Sequence, residues 1–328
     1  MDIAVLQADA LAVAADVLVL KHAQGLYGVD ALVVQRLDSH AAGVFPKVPL
    51  PPPGSASLVD SRGLLGAAAL LFIGVERLGD FGYAEIRAFA RRTLEDLADR
   101  LPDTSSVAMT VHGVGFGLDE TEAFRAQLAG LLEALQRGRF PPALRRIAIV
   151  EHNPGRAQRL QRELAVTFPG GAIDVPRLQG RADQTLPTAA LRTAGAPSRD
   201  KPHVFVAMPF AKEFDDRFHY GIEAAIRSAG YLCERADMAS FTGDVIAWVK
   251  QRIDSARLLV ADLSGANANV YLEIGYAWGR GVPTVLLAGD QKELLFDVRG
   301  QRCLVYDSIR SLETQLTREL QQLGTAAP

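Results

Sequence analysis

Residues 256–289 read ARLLVADLSGANANVYLEIGYAWGRGVPTVLLAG, and this stretch decides the fold. An apolar run through Leu258–Ala261 breaks into a polar turn, Asp262–Asn269. An apolar, small-residue segment of helical length comes next (269–279), and after Gly281 a second apolar run, Val282–Ala288. Two buried strands separated by a helix form a parallel pair, because parallel strands need a crossover and a helix supplies it.

The same rhythm extends in both directions. HVFVAMPF (203–210) is a strand entering a loop, and residues 213–229 are helical with Phe214, Phe218, Ile222, Ala225 and Ile226 on one face. Gly230 ends that helix, YLCERAD (231–237) is a strand, and residues 243–256 form a helix. RCLVYD (302–307) is a fifth strand and residues 311–323 a closing helix. Further upstream, strands are expected at 15–20, 70–75, 106–111 and 145–152, with helices at 29–37, 83–100, 119–135 and 154–164. The predicted class is therefore α/β: two Rossmann-like three-layer domains, each a mostly parallel sheet flanked by helices.

A chain of 328 residues suits two domains. Residues 178–201 lack any sustained 2- or 3.6-residue period and read as a linker between domains at 1–177 and 202–328. PKVPLPPPG (46–54) reads as a polyproline-like loop inside the first domain. A net charge of −3 argues against a general nucleic-acid binder. The longest apolar run, Gly63–Val75, falls short of the ~20 residues a membrane-spanning helix needs. Asp2, Asp9 and Asp16 interrupt the opening apolar stretch, so no secretory signal is expected. Cys233 and Cys303 form neither a metal framework nor a disulfide set. A soluble, reduced, cytoplasmic protein with no metal and no membrane partner is the expectation.

In open α/β sheets ligands sit beyond the carboxyl ends of the strands. In the second domain that rule collects Met208, Pro209 and Phe210, then Arg235 and Asp237, then Asp262, Ser264, Asn267 and Asn269, with Tyr276 further along the helix. Glu273 lies one turn into the same helix. An aromatic lip, carboxylates and amides suit a base and a sugar, and a carboxylate beside an anomeric carbon can act as nucleophile or stabilise an oxocarbenium-like centre. Asp262 also fits a loop-capping group, and Asn267 and Asn269 also fit turn residues. Glu273 is the acid hardest to explain structurally, since VYLEIGYAWG is otherwise apolar and a buried lone acid is costly.

In the first domain HGVGFG (112–117) is a glycine-rich turn between a strand and a helix, and Gly25–Gly28 lies in a similar loop. Such turns aim backbone N–H groups at phosphates. Asp119 and Glu122 have the spacing of a capping box for the next helix. His22 and His112 are candidate phosphate or ribose contacts. No cluster has metal-ligand spacing, and no G-x-S-x-G elbow marks a hydrolase serine.

VFVAMPF, the ADLSGANANVYLEIGYAWGRGVPTVLL block and LFDVRGQRCLVYD together resemble the nucleoside 2-deoxyribosyltransferase-like branch of the Toll/interleukin-1 receptor (TIR) superfamily, over residues 202–310. The resemblance implies cleavage of an N-glycosidic bond in NAD, a nucleoside or a nucleotide, with Glu273 catalytic. It also implies that Met208–Phe210 shapes the base pocket, that Asp262 contacts the sugar, that no separate cofactor is needed and that subunits associate into a homo-oligomer. Members of this branch often act in bacterial anti-phage defence by depleting NAD.

The opening D-A-L-x(4)-D-V-L-V-L resembles the start of a macro domain or of the related N-terminal domain of leucyl aminopeptidases, and the resemblance spans roughly residues 1–170. It implies a sensing site for an ADP-ribose-type nucleotide, with Asp9 toward adenine and His22, Gly25, Gly28, Gly113, Val114, Gly115, Phe116 and Gly117 around ribose and diphosphate. Lys21 and His22 stand where the macro family carries asparagines, so binding is expected there rather than hydrolysis. Three readings stay open: an NAD-cleaving effector, a nucleoside or deoxynucleotide glycosidase or transferase, and a non-catalytic nucleotide sensor.

Overall fold

The computed structural model describes residues 1–40, 48–180, 186–195, 201–235, 245–290 and 295–325. The chain divides into two compact units, one of residues 1–114 and 120–196, the other of residues 115–119 and 197–328.

The first unit contains β1 (Asp2–Gln7), β2 (Ala15–His22), α1 (Gly28–His40), β3 (Ala56–Asp60), β4 (Ala67–Gly74), α2 (Tyr83–Arg100), β5 (Ser106–Thr110), α3 (Glu120–Gln136), β6 (Arg146–Glu151), α4 (Pro154–Thr167), α5 (Val175–Gln179) and α6 (Ala189–Thr193). Its six described strands lie in the order β1-β6-β5-β2-β4-β3, and among them only β3 runs antiparallel to its neighbour. β2 is central because AADVLVLK presents apolar residues to both faces. Leu18 and Leu20 pack with Val33, Leu37 and Phe72, and Val17 and Val19 are equally buried.

Several elements depart from the sequence expectation. β1 and β3 were not expected as strands: β1 holds the register Ile3↔Ile147 and Val5↔Ile149 at the sheet edge, and its short polar-flanked run hides that pairing. α5 and α6 fall within or beside the stretch read as a linker. There Asp174 and Thr188 cap the helix starts, and Leu186, Leu191 and Ala194 are buried in the first unit. Residues 181–185 and 196–200 of that stretch lie outside the described residues. Asp119 and Glu122 both take tertiary partners. Asp119 accepts from Arg227 and from the Cys233 backbone N–H, and Glu122 accepts from the Gly195 N–H.

The second unit contains β7 (His203–Ala207), α7 (Glu223–Ser228), β8 (Leu232–Glu234), α8 (Val245–Ser255), β9 (Leu258–Asp262), α9 (Ala268–Gly279), β10 (Thr284–Ala288), α10 (Phe296–Arg299), β11 (Cys303–Val305) and α11 (Ile309–Thr325). The helix expected over 213–229 is less regular than its apolar spacing suggests. A 3-10 turn at Lys212–Phe214 and a π-helical segment at Arg217–Ile222 precede α7.

All five described strands are parallel, in the order β11-β10-β9-β7-β8. Every residue of β7 and β9 is buried, as helices on both faces require. The two-residue period divides them. Val204, Val206, Leu258 and Val260 pack with Ile222, Leu312 and Leu316, while Phe205, Leu259 and Ala261 pack with Val249, Ile253 and Ile274. Each of the larger side chains, Ala261 apart, contributes about 1.5–3 kcal/mol of apolar burial.

Candidate functional site

In the second unit the chain leaves β7 toward β8 on one side and returns through β9 toward β10 on the other. The carboxyl ends of β7 and β9 therefore flank the reversal in strand order where ligands bind in open α/β sheets.

α9 starts at this point. Asn267 caps it, its side-chain oxygen accepting the Asn269 N–H at 2.9 Å. Val270, Ile274 and Ala277 bury one stripe against the sheet. Glu273 sits beside that stripe and lines a cavity of about 440 Å³, together with Phe210, Asn269, Tyr271 and Tyr276. The opposite wall is one face of α8, on which Ile246, Val249, Lys250 and Ile253 recur at helical spacing.

The Glu273 carboxylate has no hydrogen-bond or ion partner among the described residues. Burial alone pushes its pKa up to about 7, from an ordinary 4.5. A carboxyl that titrates near neutrality in an aromatic-walled, mostly apolar cavity can lose or hold a proton at the pH where it works.

The remaining predicted residues serve this cavity indirectly or lie elsewhere. Arg235 stacks its guanidinium on Phe218 at 3.8 Å and Phe210 at 5.7 Å, and its Nη1 reaches the Met208 sulfur at 3.6 Å. It thereby braces the Met208–Phe210 loop, in which Met208 and Pro209 are buried and Phe210 is exposed at the cavity lip. The Tyr276 ring lines the wall while its hydroxyl donates outward to Asp254 at 2.9 Å. Asp237 lies outside the described residues.

Asp262 is fully buried at the end of β9. Its Oδ1 accepts the Ser264 N–H at 3.0 Å and its Oδ2 accepts the Tyr306 hydroxyl at 2.8 Å. Both oxygens are thus engaged by the protein, which is the capping geometry open to a strand-end Asp. The Ser264 hydroxyl joins the same chain, 3.2 Å from the Tyr306 oxygen and accepting the Gly289 N–H at 3.0 Å. Burial and Asp262 push the Tyr306 phenol up to about 12, fixing it as a donor.

Tyr306, Lys250 and the apolar face of α8 were not anticipated as site residues. The face was readable from the spacing of Ile246, Val249, Lys250 and Ile253; the Tyr306 contact, 44 residues from Asp262, carries no local signal.

In the first unit the reversal in strand order falls between β2 and β5, so the loops after His22 and after Thr110 are the ones a ligand would meet. Gly28, Gly113 and Gly117 have positive φ. His22 places Nδ1 2.9 Å from the Pro51 carbonyl, so that nitrogen donates and the proline loop is tied to the end of β2. Gly74 lets the loop approach: a Cβ there would lie 1.9 Å from the Pro52 carbonyl oxygen.

Lys21 and Asp30 form a buried ion pair at 2.9 Å. His112 is buried edge-on against Phe89, its pKa driven well below the ordinary value by burial and then by Lys21. Its Nε2 has no partner among the described residues. Asp9 is exposed after β1, its carboxylate accepting the Leu11 N–H. Gly25 and Val114 stay with the first unit, whereas Gly115, Phe116 and Gly117 belong to the second. There a Cβ on Gly117 would come within 2.3 Å of the Trp248 ring. The glycine-rich turn is thus divided: its first half borders the β2–β5 reversal, and its second half is packed by protein.

No helix among the described residues is long and apolar enough to cross a membrane, and no group of three or more His, Cys, Asp or Glu among them is placed to hold a metal ion.

No protein-family model matches the chain and no curated protein resembles it. Among solved structures it is similar to macrodomains over about half its length. A Trypanosoma brucei macrodomain in complex with ADP-ribose aligns at 18% identity and a TM-score of 0.38, covering 49% of this chain and 68% of that one. The same organism's macrodomain in complex with ADP aligns at 18% and 0.37, covering 50% and 69%. An Oceanobacillus iheyensis macrodomain mutant with ADPR aligns at 16% and 0.37, covering 49% and 91%. Likeness at this level assigns neither family nor function, and the site is read from its own residues.

Proposed function

We propose that the second unit cleaves the N-glycosidic bond of NAD, with Glu273 as the catalytic carboxylate. The observation that carries the reading is an unpartnered acid, titrating at about 7, on the wall of an aromatic-lined cavity at the strand-order reversal. In this reading the nicotinamide ring packs on Phe210 and Tyr276, and the Asn269 amide meets a ribose hydroxyl. Glu273 faces the anomeric carbon. The positive pyridinium ring favours the ionised form of Glu273 and draws its pKa down on binding. As the C–N bond breaks, its electron pair leaves with nicotinamide. The carboxylate stabilises the oxocarbenium centre or captures it as an ester, and water then delivers hydroxide to that carbon and releases a proton.

The resemblance in residues 202–310 supports the reaction, and the glycine-bearing loops at the β2–β5 reversal support a nucleotide-sensing role for the first unit. On this reading the protein is a bacterial anti-phage effector that depletes NAD, working as a homo-oligomer.

Purified protein incubated with NAD, alone and with a nucleotide pool, is expected to release nicotinamide and ADP-ribose. Glu273→Gln should lower the rate by about 10³-fold or more. NAD loss undiminished in that variant overturns the assignment. Base release from nucleosides or deoxynucleotides, with NAD untouched, replaces it with a nucleoside glycosidase.

A further inference from the structure

The second unit holds another cavity, of about 580 Å³, beyond the ends of β9, β10 and β11. Among the described residues it shares no lining residue with the Glu273 cavity. Arg217, on the π-helical segment, lies in its wall over the rings of Phe214 at 5.0 Å and Tyr306 at 5.8 Å. Its one hydrogen bond among the described residues is to the Tyr306 hydroxyl at 3.4 Å. No carboxylate lies within ion-pair reach of this half-buried guanidinium among the described residues. A cation bedded on aromatic rings without a counter-ion is ready for an anion.

The surrounding groups add to this. The 17-residue helix α11 begins at Ile309 on the cavity wall, which places the positive end of its dipole at that wall. Ser264 and Tyr306 fix the floor through the chain Gly289 N–H to Ser264 to Tyr306 to Asp262. Around the mouth stand the exposed carboxylates Glu213, Asp290 and Asp307. Acceptor-only groups there suit sugar hydroxyls and repel a ligand with several phosphate groups. A single anionic group held inside, with hydroxyls at the rim, describes a phosphorylated sugar.

We propose that this cavity binds a sugar monophosphate, with Arg217 as its anion-binding residue, independently of the Glu273 site. Calorimetric titration of the full chain with ribose 5-phosphate, ribose and inorganic phosphate tests it. Ribose 5-phosphate should bind once per chain and more tightly than either fragment. Arg217→Gln should weaken it about tenfold or more, and Arg217→Lys less. Asp307→Trp, which blocks the exposed mouth without touching the core, should also weaken it and covers the case in which Arg217→Gln does not fold. Glu273→Gln should leave this binding unchanged, so failure of the NAD reading and failure of this one are told apart. No binding of ribose 5-phosphate, binding insensitive to Arg217→Gln and Asp307→Trp in folded protein, or binding lost in Glu273→Gln overturns the proposal.

Discussion

Two acids in the second unit, eleven residues apart in sequence, have opposite surroundings. Asp262 ends β9 fully buried with both oxygens bonded, to the Ser264 N–H and the Tyr306 hydroxyl. Glu273 faces a cavity with no partner among the described residues, and burial alone holds its pKa at about 7. Their positions at the reversal in strand order are equally suggestive of function. The difference lies in what bears the desolvation cost. The protein offsets it at Asp262 by hydrogen bonds and leaves it standing at Glu273. An acid fully answered by its own fold is a structural member, and an acid left unanswered is available to a ligand.

This contrast breaks if the two respond alike to substitution. Asp262→Ala should have the larger effect on stability. It strands the Ser264 N–H in the interior and leaves the Tyr306 hydroxyl with the Ser264 oxygen at 3.2 Å in place of the 2.8 Å carboxylate, and a loss of about 3 kcal/mol is expected from the urea midpoint. Glu273→Gln should move stability the other way. Its folded pKa of about 7 exceeds the ordinary 4.5, so the folded state favours the protonated acid. That contribution is complete below 4.5 and is lost as pH rises through about 7. The neutral amide escapes the charging cost, so the variant should gain roughly 2 kcal/mol at about pH 8, after discounting for partial exposure, and nothing at about pH 4. A pH-independent difference between the two proteins would remove the raised pKa from the account.

The same titration governs the chemistry. A carboxylate that must be ionised to face an anomeric carbon gives kcat/KM for NAD that climbs as pH rises through about 7 and then levels. A fall over that range would make Glu273 a proton donor instead. The expected rise is about tenfold for each pH unit below the inflection.

How much of this was legible follows the same division. Glu273 could be read from its helix because its i±3 and i±4 neighbours, Asn269, Val270, Tyr276 and Ala277, include no basic partner. Its isolation is therefore a local property. The commitment of Asp262 could not be read, because its partner Tyr306 is brought across by the pairing of β10 with both β9 and β11. The alternating sheets were legible wherever strands are apolar on both faces, as in β2, β7 and β9. β1 and β3 were not, since an edge strand needs fewer apolar residues and its pairing is set by a distant neighbour. The π-helical segment at Arg217–Ile222 also escaped, because its Phe218 and Ile222 spacing satisfies an ordinary helix equally well.

The smallest expected effect gives the finest division, because Tyr276 is split between the two kinds of surroundings. Its ring forms part of the Glu273 cavity wall, yet its hydroxyl points away to Asp254, which also accepts from Arg280 at 2.8 Å. That outer cluster is exposed, where ion pairs and hydrogen bonds contribute little. Tyr276→Phe should therefore leave the melting temperature and the KM for NAD nearly unchanged, since the wall survives and only the outward bond is lost. Tyr276→Ala should raise KM several-fold by removing a stacking surface from the cavity. If the phenylalanine variant instead binds NAD as poorly as the alanine variant, the hydroxyl turns inward when substrate is present. Tyr276 would then be a polar contact of the site as well as part of its aromatic wall.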